Sequence, residues 1–124
     1  MSKNPRVVAV VDDDLSVRRS AGRLLSLLGY SPELYASAEK FFDAAMTTEA
    51  ICLILDIELG RSCGIELAQR LRNAGCNIPV IFMTGDCDNE SNKMRAQEIG
   101  CLAFFYKPSS ADALVETLLN IARP

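Results

Sequence analysis

Four short apolar segments, each ending at a polar or charged side chain, restrict the fold of this chain more than any other feature. The segment Ile51–Leu55 places five apolar residues in succession and ends at Asp56. A continuous apolar run of this length is typical of a strand that is buried on both faces, as in a parallel sheet. The other three segments are Val7–Val11, followed by Asp12, Asp13 and Asp14; Val80–Met83, followed by Thr84; and Leu102–Tyr106, followed by Lys107.

Segments with helical periodicity alternate with these strands. The first helix has an apolar face of Val17, Ala21, Leu24, Leu25 and Leu28, and Asp12, Asp13 or Asp14 can cap it. Ser31–Tyr35 predicts a short strand, placed at a sheet edge because Pro32 lacks an N–H group. Three further helices are predicted. One is capped by Ser37 and turns Phe41, Phe42 and Ala45 inward, and a second, Gly64–Asn73, turns Leu67, Ala68 and Leu71 inward. The third, Ser110–Ala122, is strongly amphipathic.

The segment Asp88–Ile99 is also predicted to be helical, but its composition is mostly polar. Only Met94, Ala96 and Ile99 are available for burial. An element with so few apolar anchors belongs to the low-stability part of a domain, from which moving elements are drawn.

The order of elements predicts an α/β domain over residues 1–124 with no output domain in this chain. Five strand–helix alternations favour a doubly wound five-stranded parallel sheet with helices on both faces. The flavodoxin-like strand order 2-1-3-4-5 places the first and third strands side by side at the switch point. That arrangement sets Asp12 and Asp13 beside Asp56.

Composition narrows the class of protein. Hydrophobic residues make up 49% of 124 residues, which argues against disorder, and the net charge of −3 gives no sign of a nucleic-acid surface. No run approaches the roughly 20 apolar residues of a membrane span, and the N-terminus has no signal core, so a cytoplasmic location is expected.

Five cysteines without any histidine or CxxC pair make a zinc site improbable in this sequence. Cys52 and Cys101 are expected to be small buried hydrophobes. Cys63 and Cys87 fall in predicted loops, where oxidation is the alternative to a passive role.

Three carboxylates that converge at one crevice must hold protons or a cation. Because the donors are few and all are oxygen atoms, Mg²⁺ is the expected ion, with Mn²⁺ as the alternative, and the backbone carbonyl of Glu58 can complete its ligand shell.

Asp56 can attack phosphorus and form an acyl phosphate. Lys107 and Thr84 can then neutralise and hydrogen-bond the phosphoryl oxygens. Taken singly, Thr84 could cap a turn, Lys107 could be a solvated charge and Asp14 a helix cap.

These motifs resemble the receiver domains of response regulators in two-component signalling, over essentially the whole chain. The sequence around Phe41 and around Ile81 is most similar to receivers joined to helix-turn-helix transcription outputs. The matching segments are Val10–Asp14, Leu55–Asp56, Met83–Gly85 and Tyr106–Pro108, in the family's order and spacing.

The resemblance implies a phosphorylation-dependent switch rather than an enzyme that turns over an external substrate. Asp56 would accept a phosphoryl group from a sensor histidine kinase or phosphotransfer protein and lose it by autodephosphorylation. Asp12, Asp13, Asp56 and the Glu58 carbonyl would bind Mg²⁺. Thr84 and Lys107 would sense the phosphoryl group.

The resemblance also places Phe104 at the aromatic switch position and a cis peptide bond between Lys107 and Pro108. Because the weakly anchored helix Asp88–Ile99 follows Thr84 and precedes Phe104, the switched surface is expected to comprise this fourth helix, the fifth strand and the last helix. It would bind a partner, an output domain or a second copy in a homodimer; no nucleic acid or membrane contact is expected of the domain itself.

Three departures from the family pattern bear on the site. The loop after Asp56 lacks the usual proline and is expected to be more mobile. Glu58 and Asp86 add two carboxylates at the entrance. Ser109 stands where a phenylalanine often follows the Lys-Pro pair.

Three other functions are alternatives. A receiver that docks partners without phosphorylation is the first, although Asp13, Asp56, Thr84 and Lys107 argue against it. An aspartyl-phosphate hydrolase would need a second acid, which Glu58 supplies only loosely, and a substrate cap for which no segment is long enough. A flavin carrier of the same fold would need a phosphate loop where this chain has three aspartates.

Overall fold

The computed structural model describes residues 6–85, 90–106 and 117. Eleven elements lie within these residues, and the helix bounds follow the sequence periodicity closely. In chain order they are β1 (Val7–Val11), α1 (Leu15–Leu27), β2 (Ser31–Tyr35), α2 (Ala38–Ala44), β3 (Ala50–Asp56), β4 (Glu58–Leu59), β5 (Ser62–Cys63), α3 (Gly64–Asn73), β6 (Val80–Thr84), α4 (Glu90–Ile99) and β7 (Ala103–Tyr106).

Five parallel strands form the main sheet in the order β2-β1-β3-β6-β7. Numbered among themselves, these strands run 2-1-3-4-5, so the flavodoxin-like order is confirmed. The register pairs Val11 of β1 with Leu55 of β3, and Asp56 of β3 with Met83 of β6. β2, which contains Pro32, lies at the edge of the sheet as predicted.

Alternate residues of the strands face two separate hydrophobic cores, because successive side chains of a strand point to opposite faces. On one face, Val8, Val10 and Ile54 pack with Leu25 of α1. On the other face, helices α2, α3 and α4 contribute Phe41, Leu67, Leu71 and Ala96 to a larger core built on Val11, Leu53, Leu55 and Phe82. Helices thus cover both faces of the sheet, as the continuous apolar runs require.

Side chains cap two helices at the positions that the sequence indicates. The carboxylate of Asp14 accepts hydrogen bonds from the backbone N–H groups of Ser16 and Val17 at 2.8 and 3.3 Å. Asp14 is therefore the cap among the three aspartates that could have served. Ser37 caps α2 by accepting from the N–H of Lys40 at 3.2 Å.

Three residues expected in the core or in a strand lie elsewhere. Leu28 is exposed because it is the C-cap residue of α1, beyond the last turn that packs on the sheet. Met94 of α4 is 61% exposed, whereas Ala96 is buried and Ile99 is partly buried. Leu102 is exposed and precedes the fifth sheet strand, which begins at Ala103.

Residues 57–63, expected to form a loop, contain a small antiparallel hairpin. Glu58 pairs with Cys63 and Leu59 pairs with Ser62. Gly60 has a φ of +63°, and glycine with positive φ at the first turn position is typical of the tight II′ hairpin turn. Proline cannot adopt this angle, so this turn requires a residue other than proline at position 60.

Several expectations fall outside the described residues. They concern Lys107, its cis bond to Pro108, Asp86, Cys87, Ser109 and the helix expected at Ser110–Ala122, within which Thr117 is helical. In the part of the chain that the structure describes, no helix has the length and apolar character needed to cross a membrane.

Candidate phosphoacceptor site

The carboxyl ends of β1 and β3 bring Asp12, Asp13 and Asp56 together. One carboxylate oxygen of each lies within 4.8 Å of the others. Asp12 and Asp56 are buried, at 3% exposure each, whereas Asp13 is exposed. The turn of the hairpin also approaches this cluster, since a Cβ atom on Gly60 would lie 3.5 Å from Oδ2 of Asp13. The side chains predicted to meet at the switch point therefore do meet there.

Backbone amides orient the two buried carboxylates. The N–H of Asp14 donates to Oδ1 of Asp12 at 2.9 Å, and the N–H of Glu58 donates to Oδ1 of Asp56 at 3.1 Å. The guanidinium of Arg18 in α1 donates to the backbone carbonyl of Asp12 at 2.8 Å. Each carboxylate is thus held by the segment that follows it, which limits its rotation.

The donor set fits a hard divalent cation. Three carboxylates within reach of one another provide only oxygen ligands, and Mg²⁺ takes one or two carboxylates while keeping several waters. Like charges at this separation also repel one another unless a cation or protons neutralise them. The backbone carbonyl of Glu58 remains a predicted additional ligand.

Thr84, at the end of β6, is 2% exposed. Its hydroxyl donates a hydrogen bond of 2.6 Å to Oε2 of Glu58, and the backbone N–H of Gly85 donates to Oε1 of the same carboxylate at 2.9 Å. One glutamate therefore holds two donors at the end of the strand beside β3. The sequence placed the Glu58 carboxylate at the entrance of the site but did not predict its hydrogen bonds with Thr84 and Gly85.

A signal for this contact is present in the sequence. Glu58 follows Asp56 by two residues, and the register places Asp56 opposite Met83, next to Thr84. Once β3 and β6 are adjacent, a side chain as long as glutamate can span from one strand end to the other. The backbone of Glu58 is positioned by the hairpin, however, and the sequence did not predict that hairpin.

Phe104, the expected switch residue, lies on β7 opposite Phe82 of β6. Its ring is partly buried against the larger core, with its centroid 6.5 Å from that of Phe82 and 5.5 Å from that of Tyr106. The ammonium nitrogen of Lys93 in α4 in turn lies over the ring of Tyr106, 6.0 Å from its centroid. An aromatic row therefore extends from the core beneath β6 to α4.

The cysteines differ in their surroundings. Cys52 is fully buried in β3, and burial raises the pKa of its thiol to about 12 from the ordinary 9.0. Burial also raises the pKa of the Cys101 thiol, which is partly buried. Both thiols are protonated at neutral pH and pack as small apolar groups. Cys63 is half-buried at the N-cap position of α3 and makes no capping hydrogen bond.

Comparison with known proteins agrees with this arrangement. The family model of the response regulator receiver domain matches residues 8–119. The response regulator protein TodT of Pseudomonas putida is 30% identical over 115 residues, which are 93% of this chain and 50% of that protein. Nodulation protein W of Bradyrhizobium diazoefficiens is 31% identical over 113 residues, which are 91% of this chain and 49% of that protein.

The similarity extends to solved structures. A response regulator receiver protein from Burkholderia phymatum is 35% identical, with a TM-score of 0.79 and coverage of 94% of both chains. The present chain spans about half the length of the curated relatives it matches. Their shared part is the receiver, and this chain belongs to the response regulator receiver domain family, whose members act in two-component signal transduction.

Proposed function

We propose that Asp56 accepts a phosphoryl group from a phosphohistidine of a sensor histidine kinase or phosphotransfer protein. The observation that carries this proposal is the meeting of Asp12, Asp13 and Asp56 at the end of β3, with Thr84 at the adjacent strand end. Positioning and charge dominate phosphoryl transfer, and these residues supply both.

Asp56 is suited to act as the nucleophile. Its buried carboxylate is oriented by the N–H of Glu58, and a carboxylate oxygen can form a bond to phosphorus as the phosphorus–nitrogen bond of the donor breaks. The departing imidazole takes up a proton, and Asp56 becomes an acyl phosphate. Water can later attack the same phosphorus, return the aspartate and release inorganic phosphate.

The remaining site residues manage charge. Asp12 and Asp13 would bind Mg²⁺ together with Asp56, and the ion when bound neutralises the negative charge that accumulates on the phosphoryl oxygens. Thr84 would donate its hydroxyl hydrogen to a phosphoryl oxygen. Lys107, outside the described residues, would supply the positive charge at the end of the fifth sheet strand.

The output of the switch would be a changed surface at residues 88–99, 102–106 and 110–122. Movement of Thr84 toward the phosphoryl group would make room for Phe104 to turn further inward. This surface would then favour a homodimer, an output domain or another protein partner. The aromatic row from Phe104 to Tyr106 and Lys93 gives the change a physical route to α4.

The test is phosphorylation by a small acyl-phosphate donor, followed by intact-mass measurement. We expect one added phosphate in the presence of Mg²⁺, none with chelator and none in Asp56→Asn. Asp43→Asn is the matched control, since Asp43 is an exposed aspartate of α2 away from the site. Lys107→Ala should accept phosphate poorly because the developing charge loses its counter-ion.

Label that persists in Asp56→Asn, or that forms equally well with chelator, would contradict the proposal. A partner bound equally well by wild type and Asp56→Asn under phosphorylating conditions would instead identify a receiver that docks without phosphorylation.

A further inference from the structure

We propose that the side chain of Glu58 competes with the incoming phosphoryl group for the same two hydrogen-bond donors and so limits phosphorylation of Asp56. This inference rests on the proposed phosphoacceptor function. The side chain of Glu58 would act on that reaction indirectly, by occupying the hydrogen-bond donors of Thr84 and Gly85.

The geometry is that of an anion seated on two converging donors. Each oxygen of the Glu58 carboxylate accepts one hydrogen bond, at 2.6 Å from the Thr84 hydroxyl and 2.9 Å from the Gly85 N–H. Hydrogen bonds to an ionised carboxylate are shorter and about twice as strong as neutral ones. The Thr84 hydroxyl is also buried, which strengthens the bond that it makes.

Glu58 is tied to the acceptor as well as to the donors. Its backbone N–H donates to Oδ1 of Asp56 at 3.1 Å, and its pairing with Cys63 in the hairpin fixes its backbone. Its side chain is therefore anchored beside the reacting carboxylate. Because Glu58 is an exposed residue, its carboxylate can rotate into solvent without breaking the hairpin.

A phosphoryl group on Asp56 would present oxygen acceptors of the same charge as this carboxylate. The Thr84 hydroxyl and the Gly85 amide each carry a single hydrogen to donate. If the phosphoryl oxygens accept hydrogen bonds from these two donors, the donors must first break their hydrogen bonds to Glu58. The free energy of those two hydrogen bonds is then lost. Phosphoryl binding is weakened by that amount relative to a chain without the glutamate.

Charge repulsion alone would also weaken phosphoryl binding, and Glu58→Asp separates the two explanations. The aspartate keeps the negative charge, but its side chain is one methylene shorter and no longer spans to Thr84 and Gly85. Competition predicts that Glu58→Asp behaves like Glu58→Ala, whereas repulsion predicts that it behaves like the wild type. Glu58→Gln retains an acceptor without charge and should be intermediate.

The experiment measures binding of beryllofluoride, an analogue of the phosphoryl group, in the presence of Mg²⁺. We expect Glu58→Ala and Glu58→Asp to bind it about tenfold more tightly than wild type, which corresponds to about 1.4 kcal/mol. Glu66→Ala is the matched control, because Glu66 is an exposed glutamate in the first turn of α3. It should bind like the wild type.

A second readout reports the contact itself. In the protein without beryllofluoride, the amide proton resonance of Gly85 should move upfield in Glu58→Ala and Glu58→Asp but not in Glu66→Ala, because a hydrogen bond to a carboxylate is lost. An unchanged Gly85 resonance would overturn the inference, and so would equal beryllofluoride affinity in wild type and Glu58→Ala. Failure of every variant, including Glu58→Ala, to bind beryllofluoride would overturn the proposed function as well.

Discussion

Gly64 lies where the first turn of α3 touches the backbone at the end of β3, next to Asp56. A Cβ atom at this position would overlap the carbonyl oxygen of Asp56 and lie 3.1 Å from Cα of Ile57. Backbone atoms cannot rotate away as a flexible side chain can. We therefore expect Gly64→Ala to lower the free energy of unfolding by about 1–3 kcal/mol or more, measured by urea denaturation. Phosphate incorporation should fall with it, because Asp56 is displaced.

Gly22 offers the matched control within α1. A Cβ atom there would meet only side chains, the nearest being Cδ1 of Leu34 at 3.3 Å, and alanine favours the helix over glycine by about 1 kcal/mol. Gly22→Ala should thus unfold at a urea concentration close to that of the wild type. Equal stability of Gly64→Ala and Gly22→Ala would show that α3 can shift away from Asp56 at little cost.

Cys52 gives the fold a dependence on alkaline pH. Its pKa is raised to about 12 from 9.0 by burial in β3, so the folded state keeps the thiol proton after the unfolded chain has lost it. The unfolded state binds fewer protons in that range, and stability must decline as pH rises above 9. We expect the free energy of unfolding to fall more steeply from about pH 8 to pH 10.5 in the wild type than in Cys52→Ala.

The comparison uses the slope with pH and not the absolute stability, since Cys52→Ala also removes packing. The partly buried Cys101 thiol and the phenol of Tyr35 contribute in both proteins, since the pKa of each is raised by burial and that of Tyr35 also by Glu33. Parallel slopes in wild type and Cys52→Ala would mean that Cys52 ionises as readily in the folded state as in the unfolded chain.

At the scale of the element, strands and helices followed directly from sequence periodicity wherever packing faces are continuous. The bounds of α3, predicted as Gly64–Asn73, are those observed, because Gly64 and Gly75 delimit a regular apolar stripe. The capping role of Asp14 could be anticipated but not assigned, since three consecutive aspartates offered the same chemistry. Only the direction in which the chain leaves β1 decides among them.

The hairpin β4–β5 shows what periodicity cannot reveal. Two residues per strand are too few to display alternation, and the turn depends on the positive φ of Gly60. The contact of Glu58 with Thr84 and Gly85 follows from that hairpin. The acidic cluster was predictable because strand order alone brings it together, whereas this contact required the path of a four-residue turn.

At the scale of the whole molecule, stability is distributed unevenly across the sheet. α1, α2 and α3 bury large side chains such as Leu25, Phe41 and Leu71, while Ala96 is the residue that α4 buries. Met94, counted among the anchors from sequence, is exposed, so α4 is held more weakly than predicted. A helix with so little buried apolar area can shift at small cost in free energy.

This asymmetry predicts where phosphorylation is read out. A phosphoryl group shifts a conformational balance only through its preference for one state, and allosteric couplings typically amount to about 1–3 kcal/mol. We expect amide hydrogen exchange to change within residues 84–85 and 90–106 on phosphorylation, because Thr84 leads into α4 and Phe104 follows it. Dimerisation or partner docking on that face should strengthen about fivefold or more.

Two variants show whether the exchange changes come from the switch. Asp56→Asn, exposed to the same donor, should show no change, and Thr84→Ala should accept phosphate while its response in α4 and β7 is reduced, since it lacks only the hydroxyl that draws the strand end inward. A full response in Thr84→Ala would return that residue to the role of a turn cap. The contrary outcome is a change in exchange confined to α2 and α3, with residues 84–85 and 90–106 unaltered. It would place the output surface on the opposite edge of the larger core. Phe41 and Leu71 are buried there, which makes motion of these helices costly in free energy.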